Sequence, residues 1–208
     1  KILNSRAKNN NKLIFYHEKE LVQYNLTGDH QIQNANFVKF ILEKLIKPYK
    51  LQLSHISKYL SSTFWPGRIQ FLQKRPDVIF DVAHNDHSIE AFIKYFSTIS
   101  DNYHNLNLVI GFEKGKQINK SMKKLYNLFH HIIITETKIR HSMEASYIAS
   151  LHGAEDRACI SIELNPTTAI INSINKMNKN DLTVIIGSHY FGPYLFKLFK
   201  NSFDIQTK

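Results

Sequence analysis

Beyond a break at Trp65-Pro66-Gly67, short apolar runs alternate with amphipathic ones, and this alternation narrows the fold more than any other feature of the chain. Strand-like runs fall near residues 69–72, 77–81, 106–110, 131–135, 158–162 and 182–187. Helix-like runs lie between and after the later ones. In the clearest, residues 88–98, Ile89, Phe92, Ile93 and Phe96 repeat at helical spacing, with Ser88 placed to cap it. Others cover 118–129, 142–151, 167–178 and 193–201. Short, fully apolar strands alternating with helices predict an α/β fold with a mostly parallel sheet covered on both faces. The first two strands are separated by a short connection containing Pro76, which predicts an antiparallel edge hairpin.

Ahead of the break the pattern differs. Residues 13–26 read as two short strands around a charged turn. A helix is predicted from about Asn34 to Lys47, with Phe37, Phe40, Ile41 and Leu45 on its apolar face and Pro48 at its end. A shorter helix covers roughly Leu53 to Leu60. The expected domain boundary therefore falls between residues 63 and 64, dividing the chain into 1–63 and 64–208.

Composition excludes several classes. With 43% hydrophobic and 12% aromatic residues, the chain can build a packed core. No apolar run approaches the ~20 residues that a membrane span requires. One cysteine, Cys159, permits no internal disulfide and suits a reducing cytosol. The net charge of +10 divides as +6 over residues 1–64 (10 basic, 4 acidic) and +4 over 65–208 (17 basic, 13 acidic). Such a field attracts anions, a nucleotide or a polycarboxylate among them. No basic run is interleaved with aromatics and no reader motif appears, so neither nucleic acid nor a membrane is expected as a partner.

Ligands of open α/β sheets collect at the carboxyl ends of the strands. Three strand ends here carry polar groups: Asp81-Val82-Ala83-His84-Asn85, Gly111-Phe112-Glu113-Lys114-Gly115-Lys116, and Gly187-Ser188-His189-Tyr190. Asp81 is suited either to gripping sugar hydroxyls or to capping the helix that follows. His84 and His87 lack a third ligand at a suitable spacing, so no metal site is expected among these residues. GFEKGK is not a phosphate loop, because Gln117 follows Lys116 where a Walker A motif needs Ser or Thr. Ser188 lacks the GxSxG elbow of a hydrolase. Pattern alone stops at an α/β domain with a polar cleft at its strand ends.

Three segments carry a resemblance further: GDHQIQNA at 28–35, WPGRIQFLQKRPDVIFDVAHN at 65–85, and IIGSHYFGPY at 185–194. In order and spacing they are similar to the folylpolyglutamate synthases and dihydrofolate synthases of the Mur ligase superfamily. The resemblance implies a Rossmann-like C-terminal domain (64–208) preceded by the tail of a Mur-ligase-type ATPase domain (1–63). It implies a ligase that uses ATP and Mg2+ to join L-glutamate to dihydropteroate or to reduced folates through an acyl phosphate. Carried over residue by residue, Asn34 contacts the nucleotide, Arg68 approaches the ATP phosphates and Asp81 holds the ribose. His84, with Asn85 and Ser188, places the glutamate or the acyl phosphate. His30 and Gln31 support the nucleotide pocket.

The family commonly reads DGAHN where Val82 replaces the glycine here, and Asp-Lys-Asp where Gly115-Lys116-Gln117 stands. Its P-loop, magnesium ligands and pterin-binding surface precede the HQxxNA segment, so the chain is expected to be part of a longer enzyme and inactive alone. A monomer in a bacterial cytosol is the accompanying expectation. The competing readings are a peptidoglycan-building ligase of the same superfamily and a non-catalytic nucleotide-binding remnant.

Overall fold

The computed structural model describes residues 25–50, 52–152 and 158–203, apart from the side chain of Leu53. The strand pair read over residues 13–26 falls almost wholly outside that range. The described residues form two compact units, one of residue 25 with 30–63, the other of 26–29 with 64–203.

Helix α1 spans Asp29–Tyr49, all but its first residue in the first unit, and α2 of the same unit spans Leu53–Ser61. Helix α1 starts five residues earlier than periodicity suggests, so HQxxNA lies on the helix itself. Pro48 sits within its last turn instead of ending it. Its buried positions are Gln31 and Asn36, and the Asn36 amide donates to the Ile32 carbonyl at 3.0 Å. The expected apolar face is only partly covered: Phe37 is 48% exposed and Ile41 40%, while Phe40 and Leu45 are half-buried. Periodicity reports which residues share a face, and burial depends on what covers it.

The second unit is built on a six-stranded sheet: β1 (Gln70–Gln73), β2 (Asp77–Asp81), β3 (Leu106–Ile110), β4 (His131–Ile134), β5 (Cys159–Ile162) and β6 (Leu182–Ile186). Their order is β1-β2-β6-β3-β4-β5. Strand β1 runs antiparallel to β2 at one edge, and the other neighbours are parallel. All six expected strands and the edge hairpin are present. The last strand, β6, inserts between β2 and β3, which sequence order does not announce.

Helices α3 (Asp86–Phe96), α4 (Asn119–Tyr126) and α5 (Ala145–Ser150) contribute to one buried cluster. Helices α6 (Pro166–Asn175) and α7 (Gly192–Leu198) contribute to a second. The two clusters draw alternate residues of the central strands; in β2 Ile79 joins the first and Val78 and Phe80 the second, as a two-residue period requires. In the first cluster Phe92, Phe96 and Phe129 stack in series, with ring centres 5.5 and 4.9 Å apart. Offset ring pairs add about 0.5–1.5 kcal/mol beyond their burial.

Phe96 is fully buried at the centre of that stack. Phe96→Ala should lower unfolding free energy by about 3–5 kcal/mol, measured by urea denaturation of the 208-residue chain.

Candidate functional site

Parallel pairing brings the strand ends into a single row. Asp81 stands opposite Ile186, Ile186 opposite Ile110, Ile110 opposite Ile134, and Ile134 opposite Ile162. The loops after β2, β6, β3 and β4 therefore leave the sheet side by side. Those after β6 and β3 touch so closely that glycine is required. Gly187 has φ +119°, and a Cβ there would fall on the Gly111 carbonyl oxygen and against the Phe112 ring. A Cβ at Gly111 would lie 2.6 Å from the Thr135 carbonyl oxygen.

Asp81 ends β2 with its side chain only 5% exposed. One carboxylate oxygen accepts the Ile69 N–H at 2.9 Å and the other the Ala83 N–H at 2.8 Å. It thereby ties the residue before β1 to the loop after β2, next to the Val82 N–H bond to the Gly67 carbonyl (2.9 Å). Burial pushes its pKa up from 3.8 to about 6, against the lowering effect of the two N–H bonds and of the Arg68 charge. Arg68 adjoins Ile69 and is half-buried, so the guanidinium and the carboxylate share this end of the sheet.

The loop after β2 is tightly braced. His84 Nδ1 lies 2.8 Å from the Val82 carbonyl oxygen. A carbonyl can only accept, so Nδ1 carries the proton and Nε2 of the neutral ring is the acceptor. Helix α3 is capped by Asn85, not by Ser88 as periodicity suggests. The Asn85 Oδ1 accepts the Ser88 N–H at 2.9 Å, and the Ser88 hydroxyl accepts the Asn85 N–H at 3.1 Å, closing a reciprocal capping box. The amide of Asn85 thus has a structural duty through Oδ1. Asp86, next in line, accepts both the N–H (2.9 Å) and the hydroxyl (2.7 Å) of Ser121, and its own N–H donates to the Gln117 carbonyl at 2.8 Å. The loop bearing His84 is therefore latched to the loop bearing Lys116.

Ser188 is buried, and its hydroxyl oxygen caps the turn His189–Phe191 by accepting the Tyr190 N–H at 3.1 Å. It also lies 3.5 Å from a Glu113 carboxylate oxygen, which accepts the Thr137 hydroxyl at 3.0 Å. The Tyr194 hydroxyl donates to the Thr137 carbonyl. Glu113 thus joins the loops after β3, β4 and β6. Neither Glu113 nor Asp86 was distinguished by the sequence reading. Glu113 occurs inside a strand-end segment and Asp86 directly follows another, but their partners lie 24 to 75 residues away.

Of the expected site residues, Arg68, Asp81, His84, Asn85 and Ser188 all lie at the carboxyl edge of this unit. Asn34 belongs to the first unit, exposed on α1, with its amide donating to Gln31 at 3.4 Å. Among the described residues, no group of three or more His, Cys, Asp or Glu side chains could hold a metal ion.

A mostly parallel sheet whose polar loops gather at the carboxyl edge, with a reversal of strand order around β6, defines the ligand-binding class of open α/β domains. Within that class the chain belongs to the Mur ligase family, glutamate ligase domain, whose model matches residues 67–189. It is 28% identical over 179 residues to the dihydrofolate synthase/folylpolyglutamate synthase of Bacillus subtilis, covering 83% of this chain and 40% of the relative. The fold matches that of Mycobacterium tuberculosis folylpolyglutamate synthase complexed with ADP and AMPPCP, with a TM-score of 0.70 at 19% identity, over 85% of this chain and 41% of that one. It also matches the bifunctional folylpolyglutamate synthase/dihydrofolate synthase of Yersinia pestis complexed with AMPPNP and Mn ion, with a TM-score of 0.60 at 19% identity, over 72% and 35%. The chain thus spans less than half the length of these relatives.

Two outcomes test this geometry. Asp81 binds its proton more tightly in the folded chain, so the stability it contributes is complete below its ordinary 3.8 and is lost as pH rises through about 6. Between about pH 4 and about pH 7 the urea-unfolding free energy of the wild type should fall by about 2–3 kcal/mol relative to Asp81→Asn, whose own cost does not titrate. A parallel pH response in the two proteins would contradict the buried carboxylate. Gly187→Ala should destabilise by at least about 2 kcal/mol in the same measurement, because both its φ and its neighbouring backbone resist a methyl group.

Proposed function

We propose that this chain is the C-terminal part of an amide ligase that uses ATP to join L-glutamate to dihydropteroate, to folate polyglutamates, or to both. ATP phosphorylates the acceptor carboxylate, the glutamate amine attacks the acyl phosphate, and phosphate departs. The observation that carries this reading is the gathering of Arg68, Asp81 and His84 at one carboxyl edge of the sheet. Family membership and the nucleotide complexes of relatives support it.

Each residue has a distinct task. Arg68 offers the triphosphate a planar, permanently charged fork that spreads negative charge during phosphoryl transfer. Asp81 holds Ile69, and so fixes the backbone from which Arg68 projects; it grips the ribose with the lone pairs that the two N–H bonds leave. Asn34, on the first unit, contacts the nucleotide, a role that rests on the HQxxNA motif alone. The braced His84 presents Nε2 as an acceptor toward the incoming ammonium, which must lose a proton before its nitrogen can attack. Asn85 and Ser188 assist in placing glutamate or the acyl phosphate from the adjoining loops.

A divalent cation, Mg2+ in this reading, would neutralise phosphate charge. In this reading its protein ligands lie in the part of the enzyme that the resemblance places ahead of HQxxNA. The enzyme works in the cytoplasm as a monomer.

Arg68→Ala in the full-length enzyme should reduce kcat by about 10³-fold or more in a glutamate-incorporation assay. Thermal unfolding should be little changed, because Arg68 is half-buried and unnecessary to the Asp81 clamp. Turnover close to the wild-type rate would remove Arg68 from the mechanism.

A further inference from the structure

Arg68 stands between two residues whose backbones are left-handed. Gly67 has φ +75°, and a Cβ there would lie 2.5 Å from Val82 Cγ1. Ile69 has φ +47° although it is β-branched, a strained conformation that persists only where its surroundings hold it. Ile69 is held by its N–H bond to Asp81 and by a buried side chain that joins the first cluster. Gly67 is held at both of its backbone polar groups. Its carbonyl accepts the Val82 N–H, and its N–H donates to Gln70 Oε1 at 2.9 Å. Gln70 opens β1 and is only 4% exposed. Its Nε2 donates to the Ser202 carbonyl at 2.8 Å, so the two partners fix which end of the amide faces which way. Ser202 lies in the short 3-10 turn Lys200–Phe203. That turn is tied to β1 by the Ser202 hydroxyl, which donates to the Leu72 carbonyl, and Phe203 packs against the second cluster. A single buried amide therefore joins the turn after α7 to the residue just ahead of Arg68.

We propose that Gln70 is a positioning residue for Arg68 and that, through it, the turn Lys200–Phe203 helps to set where the guanidinium stands. The proposal rests on the ligase reading above, in which Arg68 meets the triphosphate. Packing does not require an amide at this place. Leu72 shares its face of β1 and belongs to the second cluster, so an apolar side chain at position 70 would fill the same layer. What it would not supply is a partner for the Gly67 N–H. Glycine has the widest backbone freedom of any residue, so Gly67 depends on such bonds to hold one conformation. Asp81 restrains the residue after Arg68, and Gln70 the residue before it. With both in place the Arg68 Cα is fixed from two sides, and only its side chain remains to adjust to an anion. Phosphoryl transfer depends on such placement, because charge must be met where it develops.

A double-mutant cycle in the full-length enzyme tests this. Gln70→Met keeps the reach of the side chain and removes both bonds. It should lower kcat for incorporation of labelled glutamate about 10- to 100-fold, as a misplacement of about 1 Å does, with the KM for glutamate unchanged. In an Arg68→Ala background the same substitution should change kcat by less than about twofold, because the group it positions is gone. In the 208-residue chain, Gln70→Met should lower the hydrogen-exchange protection of the Gly67 amide at least about tenfold and leave that of Val109 and Ile185 in the central strands unchanged. Gln70→Glu still accepts the Gly67 N–H and loses only the bond to Ser202. It should lower kcat about tenfold with the same dependence on Arg68, and it carries the test if Gln70→Met does not fold. The proposal is overturned if these variants turn over at the wild-type rate, or if they lose as much in the Arg68→Ala background, which would mark a role in stability alone. Unchanged protection of Gly67 in Gln70→Met would overturn it too. A wild-type enzyme that incorporates no glutamate would defeat the ligase reading, and the exchange measurement, which needs no turnover, would still decide whether Gln70 holds the backbone ahead of Arg68.

Discussion

The carboxylate of Asp81 is the constraint on which the working edge of the sheet depends. Its two oxygens hold the backbone entering β1 and the backbone leaving β2. Charge-assisted bonds to backbone N–H groups contribute about 1.5–3 kcal/mol each, and burial opposes them by disfavouring the anion. The net result is a carboxyl group with a pKa near 6, held in place from both sides. Loss of this clamp would release Arg68 and the loop bearing His84 together.

Rigidity then passes along the row of strand ends through further polar contacts. Asp86 joins the exit of β2 to the exit of β3 by way of Ser121 and Gln117. Glu113 joins the exit of β3 to those of β4 and β6. Gly111 and Gly187 allow the backbones between them to meet. Four loops that would otherwise move separately become one surface, as the proposed ligation, which depends on positioning, would require. The same bonds engage Asp86 and Glu113, whereas Lys114, Lys116, Lys138, Arg140, His141 and Glu144 of the loops after β3 and β4 are exposed.

Much of the fold was legible because burial imposes a period. Val78, Ile79 and Phe80 are apolar in succession since both faces of a central parallel strand are covered, and Ile89, Phe92 and Phe96 repeat as one side of a covered helix must. Failures occurred where local chemistry competes with period. Asn85 caps α3 in place of Ser88, because the side chain three residues ahead completes the box and the periodic residues do not show which polar group starts the helix. Helix α1 begins at Asp29, and its apolar face is covered only in part, since amphipathicity states a capacity for burial and not its full occurrence. Motif resemblance singled out the candidate residues; the contacts that brace them could not be read from the sequence.

What the sequence determined by itself was the set of parts: six strands, the edge hairpin, and polar groups at three strand ends. These follow from interactions between residues a few positions apart, which any reader of the chain can pair. Tertiary structure decided the rest. It inserted β6 between β2 and β3, set Gly187 against Gly111, and supplied Asp86 and Glu113 with partners that no local spacing identifies. A carboxylate alone in sequence has no preferred acceptor role until the sheet closes; its energy is a property of which N–H and O–H groups the finished packing brings within about 3 Å.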